Sequence, residues 1–120
     1  MSFYVGKYKA DSQEYRGWFI GSFVESGPRK TDDVEVKYWE FGAGPTDHPM
    51  KVSSTLESTL ILSGETEAEI DGERITLAGG DYVVIQPGIH NNLLVNVIRP
   101  TVGITIKAPS DVTAKKIVKE

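Results

Sequence analysis

The sequence contains no cysteine, which excludes disulfides and thiolate metal centres and gives no sign of an oxidising compartment. Histidine is nearly as scarce: His48 and His90 are the two imidazoles in the chain. No run approaches the ~20 apolar residues of a membrane span. The N-terminal MSFYVGKYKADSQ has neither a long apolar core nor a small-residue cleavage site. A cytoplasmic protein without membrane contact is therefore expected. Positive charge is also in deficit, with 17 acidic against 13 basic residues and a formal net charge of −4, whereas nucleic acid calls for a basic face. The chain shows no phosphate-binding loop, no nucleophile motif and no helix-borne pair of metal ligands.

What is present points to β-structure. At 120 residues the chain is one domain, large enough for its own core. Twelve glycines, six prolines, many β-branched residues and no long helical period favour an all-β class. The organising stretch runs from Ser58 to Gly88. An apolar run, Thr59 to Leu62, closes at Ser63-Gly64. An alternating strand, Thr66 to Ile70, then reaches Asp71-Gly72 and returns as Arg74 to Leu77. Asp-Gly between alternating runs predicts a two-residue hairpin, because a type I′ turn needs positive φ at both central positions. Gly79-Gly80-Asp81 breaks the chain before a second apolar run, Tyr82 to Ile85, which stops at Pro87-Gly88.

The flanks read in the same way. Residues 3 to 9 alternate loosely and predict a short edge strand, within an N-terminal arm over residues 1–10 suited to pairing with a second subunit. Trp18, Ile20 and Phe23 are candidate core residues, as is Trp39, since large aromatics dominate cores. Tyr4, Tyr8, Phe19 and Phe41 join them as core or subunit-interface candidates. Over Val34 to Phe41, Val34, Val36 and Tyr38 share one face, and Glu35, Lys37 and Trp39 the other. Lys51 to Glu57 is polar, and either faces solvent or lines a cavity. Leu93 to Ile98 and Val102 to Lys107 predict two further strands, broken at Arg99-Pro100. The tail, residues 110–120, begins with a possible N-cap at Ser110 and reads as one helical turn or a loose strand. The total is eight or nine short antiparallel strands at barrel spacing.

Two stretches carry a family resemblance. Gly44, Glu57 and Gly64 stand in the relation of the first cupin motif (Gly, five residues, His-x-His, three or four residues, Glu, six residues, Gly). GDYVVIQPGIHNN supplies Gly80, Asp81 and Gly88 of the second (Gly, five residues, Pro-x-Gly, two residues, His, three residues, Asn). The chain thus resembles the cupin superfamily over residues 44 to 95. The resemblance implies a single-domain jelly-roll β-barrel, and commonly a homodimer. It departs from the family at the metal ligands. The two histidine positions of the first motif fall on Lys51 and Ser53, or on Met50 and Val52 in the longer spacing. The first choice keeps residues 51, 53 and 57 at one parity, and so on one face. In the second motif Gln86 replaces proline, Asn91 replaces histidine and Val95 replaces asparagine, with His90 one position early.

Three functional readings follow. The first is a metal-free small-molecule site at the barrel mouth. Lys51 and Glu57 would be an ion pair or ligand hooks, Ser53, His90 and Asn91 hydrogen-bond partners, and the ligand an anionic or polyhydroxylated molecule. No cofactor is expected on this reading. The second is a divalent transition-metal enzyme of dioxygenase, isomerase or decarboxylase type, with His48, Glu57 and His90 as ligands. The third is a structural or interaction protein with a packed barrel. A metal-free acid/base pair of Glu57 and His90 is a further catalytic arrangement.

Overall fold

The computed structural model describes residues 2–118, so Met1, Lys119 and Glu120 of the arm and tail lie outside the described residues. Nine strands form one curled sheet: β1 Trp18–Ile20, β2 Glu35–Phe41, β3 Gly44–Pro45, β4 Lys51–Ser53, β5 Leu56–Ile70, β6 Glu73–Ala78, β7 Tyr82–Ile85, β8 Asn91–Ala108 and β9 Lys115–Ile117. All the strand pairings are antiparallel. The expected hairpin is present: Asp71 and Gly72 have φ of 52° and 81°, and Ile70 faces Glu73 across the turn.

Two strands are far longer than the sequence predicts. β5 and β8 pair from Leu56 opposite Ala108 to Ile70 opposite Asn91, running through both expected breaks, with register shifts around Ser63 and Glu65. The breaks act as bulges that bend the strands without ending them. Gly64 sits at this corner with φ of 94°, and a Cβ there would overlap the Pro100 carbonyl and Thr101. Pro100, which has no N–H for the ladder, is skipped in the pairing. The Thr101 hydroxyl bridges the gap, accepting from Glu65 N at 3.0 Å and donating to Arg99 O at 2.7 Å.

The N-terminal arm departs from expectation, and the tail takes the strand of its two expected forms. Residues 3–7 form no edge strand. Tyr8–Asp11 make a single helical turn (α1), and the Tyr8 ring packs 4.9 Å from that of Tyr38. In the tail, Ser110 caps no helix and instead donates to Ser22 Oγ at 3.0 Å. The chain then returns as β9, which pairs with β4 and sets Lys115 opposite Ser53.

The interior divides into two halves. One is apolar: Trp39, Ile61, Ala68, Leu77, Ile85, Leu93, Leu94 and Val97 are buried together. Trp18, Ile20 and Phe23, expected in the core, are half-buried: β1 is a three-residue edge strand with a bulge, and Phe23 lies in the turn beyond it. The other half is polar. Lys37, Thr105 and Thr59 occupy one row of paired positions across β2, β8 and β5, and Glu35, Lys107 and Glu57 the row beside it. Glu35, Glu57, Thr59, Thr105 and Lys107 are buried. The alternate positions Leu56 and Leu60, with Tyr82 and Val84 of β7, are exposed. Over this end of the sheet the usual pattern is inverted, with charge facing in and apolar side chains facing out.

Candidate functional site

The buried polar half opens into a cavity of about 110 Å³ lined by Trp18, Lys37, Lys51, Glu57, Lys107 and Lys115, with His48 and Thr105 on its walls. By a comparable measure one water needs about 10–15 Å³, so the space suits a small molecule. Four lysines and one carboxylate, Glu57, line it among the described residues. That excess stands against a formal net charge of −4 for the whole chain.

Glu57 is the centre of the arrangement. Its side chain is 3% exposed, and it receives the Lys51 ammonium at 2.7 Å and faces that of Lys107 at 3.8 Å. Lys51 also donates to Asn91 Oδ1 at 3.0 Å, and the Asn91 amide donates to Ile89 O at 3.1 Å. Strand pairing sets this geometry, since Lys51 of β4 lies opposite Asn91 of β8 and Glu57 of β5 lies opposite Lys107. Deeper in, Trp39 Nε1 donates to Thr105 Oγ1 at 2.9 Å, and that hydroxyl shares a hydrogen bond of 2.9 Å with Thr59. Gly103 leaves the room the Trp39 indole fills, because a Cβ there would overlap the ring.

Burial and like charge act together on the lysines. Lys107 has its pKa lowered, first by burial, with Glu57 opposing. Lys37 has its pKa lowered by burial and then by the positive charges of Lys115, Lys107 and Lys51. Both ammonium groups lie 5.5 Å from the Trp18 ring centre, within cation–π range. Beside them Glu35, whose pKa is raised by burial, accepts from Asp111 N at 3.3 Å.

Of the residues selected from sequence, Lys51, Glu57 and Asn91 form one hydrogen-bonded group. Ser53 is buried, but its hydroxyl is engaged with Thr55 at 2.9 Å. His90 is exposed, its carbonyl accepting from Asp71 N of the hairpin at 2.9 Å. His48 sits at the rim, edge-on to Phe41 with 4.7 Å between ring centres and with Nδ1 3.0 Å from Thr46 Oγ1. Sequence reading missed Lys37, Lys107, Lys115 and Trp18. A usable signal was available in the shared parity of polar residues on three strands: Glu35 and Lys37, Thr105 and Lys107, Glu57 and Thr59.

A first-row metal ion requires several imidazole or carboxylate donors converging on one point. Among the described residues no group of three His, Cys, Asp or Glu side chains is placed to hold one, so His48, Glu57 and His90 do not assemble into a ligand set. The one buried carboxylate of the cavity already carries an ammonium at 2.7 Å. These residues do not fit the metal.

No family model and no curated protein matches the chain. Solved structures do. An uncharacterised protein with a double-stranded β-helix domain from Klebsiella pneumoniae superposes with a TM-score of 0.64 at 22% identity, over 75% of this chain and 78% of that one. The DMSP lyase DddQ from Ruegeria pomeroyi gives 0.65 at 25% identity, over 79% of this chain and 48% of that one. Oxalate decarboxylase from Bacillus subtilis gives 0.63 at 8% identity, over 73% of this chain and 24% of that one. The curled nine-stranded sheet and these superpositions give the chain the double-stranded β-helix fold, the jelly-roll architecture that the cupin resemblance implied.

Proposed function

We propose that the protein binds a small anionic molecule, a carboxylate or phosphate compound, in the lysine-lined cavity without a metal ion. One observation carries this reading: four lysines and a single carboxylate line a half-open cavity in a chain of net negative charge, with Lys107 buried, Lys37 and Lys51 half-buried and Lys115 exposed. Lys37 and Lys107 are the desolvated members of the set, and desolvated cations with too few counter-ions are unfavourable unless an anion completes the set. Lys51, Glu57 and Asn91 form the fixed side of the pocket, and Lys37, Lys107 and Lys115 supply the charge that meets the ligand. Trp18 is the apolar wall between this cavity and a wider outer hollow that shares those three lysines. The polar lining speaks against a barrel packed shut for a structural role.

Titration calorimetry with oxalate, phosphate and a neutral polyol tests this. Oxalate or phosphate should bind and the polyol should not. Lys107→Met should weaken binding about tenfold to a hundredfold, the value of one charged hydrogen bond of ~1.5–3 kcal/mol. Absence of anion binding overturns the reading. So does near-stoichiometric iron, zinc or manganese in protein purified without added metal.

We also propose a homodimer. What supports it is the outward apolar face of β5 and β7, where Leu60, Leu62, Tyr82 and Val84 are 39%, 46%, 71% and 50% exposed. Contiguous exposed apolar surface of this kind marks a contact face more often than bare solvent.

A further inference from the structure

Lys37 differs from the neighbouring lysines in its partners. Lys51 is held by Glu57 and Asn91, and Lys107 faces Glu57. Lys37 makes no ion pair among the described residues. Its position is nonetheless fixed. The stem lies over Gly17, where an added Cβ would meet Lys37 Cε at 3.0 Å, and the ammonium lies against Trp18. Lys37 lines both the inner cavity and the outer hollow of about 530 Å³, so a molecule moving from one to the other passes it. A desolvated amine beside other cations and without a counter-ion is the setting in which lysine attacks carbonyl carbon. Burial and the charges of Lys115, Lys107 and Lys51 outweigh the pull of Glu57 and act on Lys37 in the direction that frees its lone pair.

We infer that Lys37 forms an imine with an anionic carbonyl compound of the 2-oxo acid class, whose carboxylate is held by Lys107 and Lys115. The inference rests on the anion-binding reading above. The amine lone pair attacks the carbonyl carbon and a C–N bond forms, while one amine proton moves to the carbonyl oxygen. The carbinolamine then breaks its C–O bond, the second amine proton leaves with the hydroxyl as water, and the C=N bond closes. No electrons are gained or lost, so no redox partner is needed. The neighbouring carboxylate of the bound acid offsets the charge of a protonated imine.

The test is reductive trapping. The full chain is incubated with pyruvate, and separately with glyoxylate, in the presence of cyanoborohydride, and the site of modification is mapped by peptide mass spectrometry. Calorimetry with lactate, which has the carboxylate but no carbonyl, runs in parallel. The expected result is a single reduced adduct on Lys37, forming several-fold faster than modification of the exposed Lys116 and slowed by lactate. Lys37→Arg should abolish the adduct, with lactate binding read on the unaltered chain. Mapping on the unaltered chain needs no variant, so a folding defect in Lys37→Arg does not blunt the test. Lactate binding without a Lys37 adduct from either oxo acid overturns the imine and leaves the anion pocket standing. Failure of lactate, pyruvate and glyoxylate to bind overturns the imine, and failure of oxalate and phosphate as well overturns both.

Discussion

Replacing Glu57 by Gln removes the one negative charge in the cavity wall and leaves two cations facing each other. At an effective dielectric constant near 20, the Lys51 pair at 2.7 Å and the Lys107 pair at 3.8 Å carry gross attractions of about 6 and about 4 kcal/mol. Most of that is offset. The carboxylate no longer has to be desolvated, Lys51 keeps Asn91, and Lys107 can shed its proton more readily. Breaking a buried pair by removing one partner costs ~3–5 kcal/mol, and these offsets place Glu57→Gln near ~3 kcal/mol. For a domain of this size, ~4 °C per kcal/mol translates this into a fall in Tm of ~12 °C near neutral pH. Thermal unfolding followed by circular dichroism measures it directly. The same variant should bind oxalate more tightly than the parent, and saturating oxalate should recover most of the lost Tm. A loss below ~1 kcal/mol, or oxalate binding weaker than in the parent, would refute the picture of Glu57 as the counter-ion of an over-charged cavity.

The lowered pKa values of Lys37 and Lys107 mean that the unfolded chain holds more protons than the native one between those values and the ordinary lysine value of 10.5. Stability should therefore rise with pH across that window. Urea unfolding at pH 8, 9 and 10 should show the rise, and Lys37→Met should flatten it; a slope unchanged by the substitution contradicts the assignment. Gly64→Ala places a methyl against the Pro100 carbonyl in a left-handed conformation, so a loss of about 3 kcal/mol or more is expected. Denaturant titration showing parent-like stability would argue against this corner as the point where β5 must bend. Leu60→Glu combined with Tyr82→Lys should convert a sedimenting dimer to monomer. Parent protein already at monomer mass would remove the outer face as an interface.

The parts of the fold legible in sequence were those set by local chemistry. Asp71-Gly72 admits few conformations, and the alternation around it allowed one register. The corners at Ser63-Gly64 and Arg99-Pro100 misled, because glycine and proline signal both strand ends and bulges, and long-range pairing decides between the two. In the site, parity placed Lys51 and Glu57 together. His90 and Asn91 part company because His90 lies in the loop before β8 and is exposed, whereas Asn91 begins the strand and is buried. Ser53 shares the parity of Lys51, yet its hydroxyl is taken by Thr55. Lys37, Lys107 and Lys115 escaped notice because a binary pattern is ordinarily read with the apolar face toward the main core, and here Val36 and Tyr38 lie on the opposite face of β2, Tyr38 covered by Tyr8, while Lys37 lines the cavity. No local signal links a lysine of the C-terminal tail to a pocket built from β2, β5 and β8.

The measurement that bears most directly on the proposed metal-free anion site is an anomalous difference map from crystals grown with selenate. The arrangement of charges predicts selenium density inside the cavity, between Lys37, Lys107 and Lys115, with Glu57 still bound to Lys51. A cavity without selenate, or a transition-metal peak on Glu57 with a histidine drawn in beside it, would contradict the account.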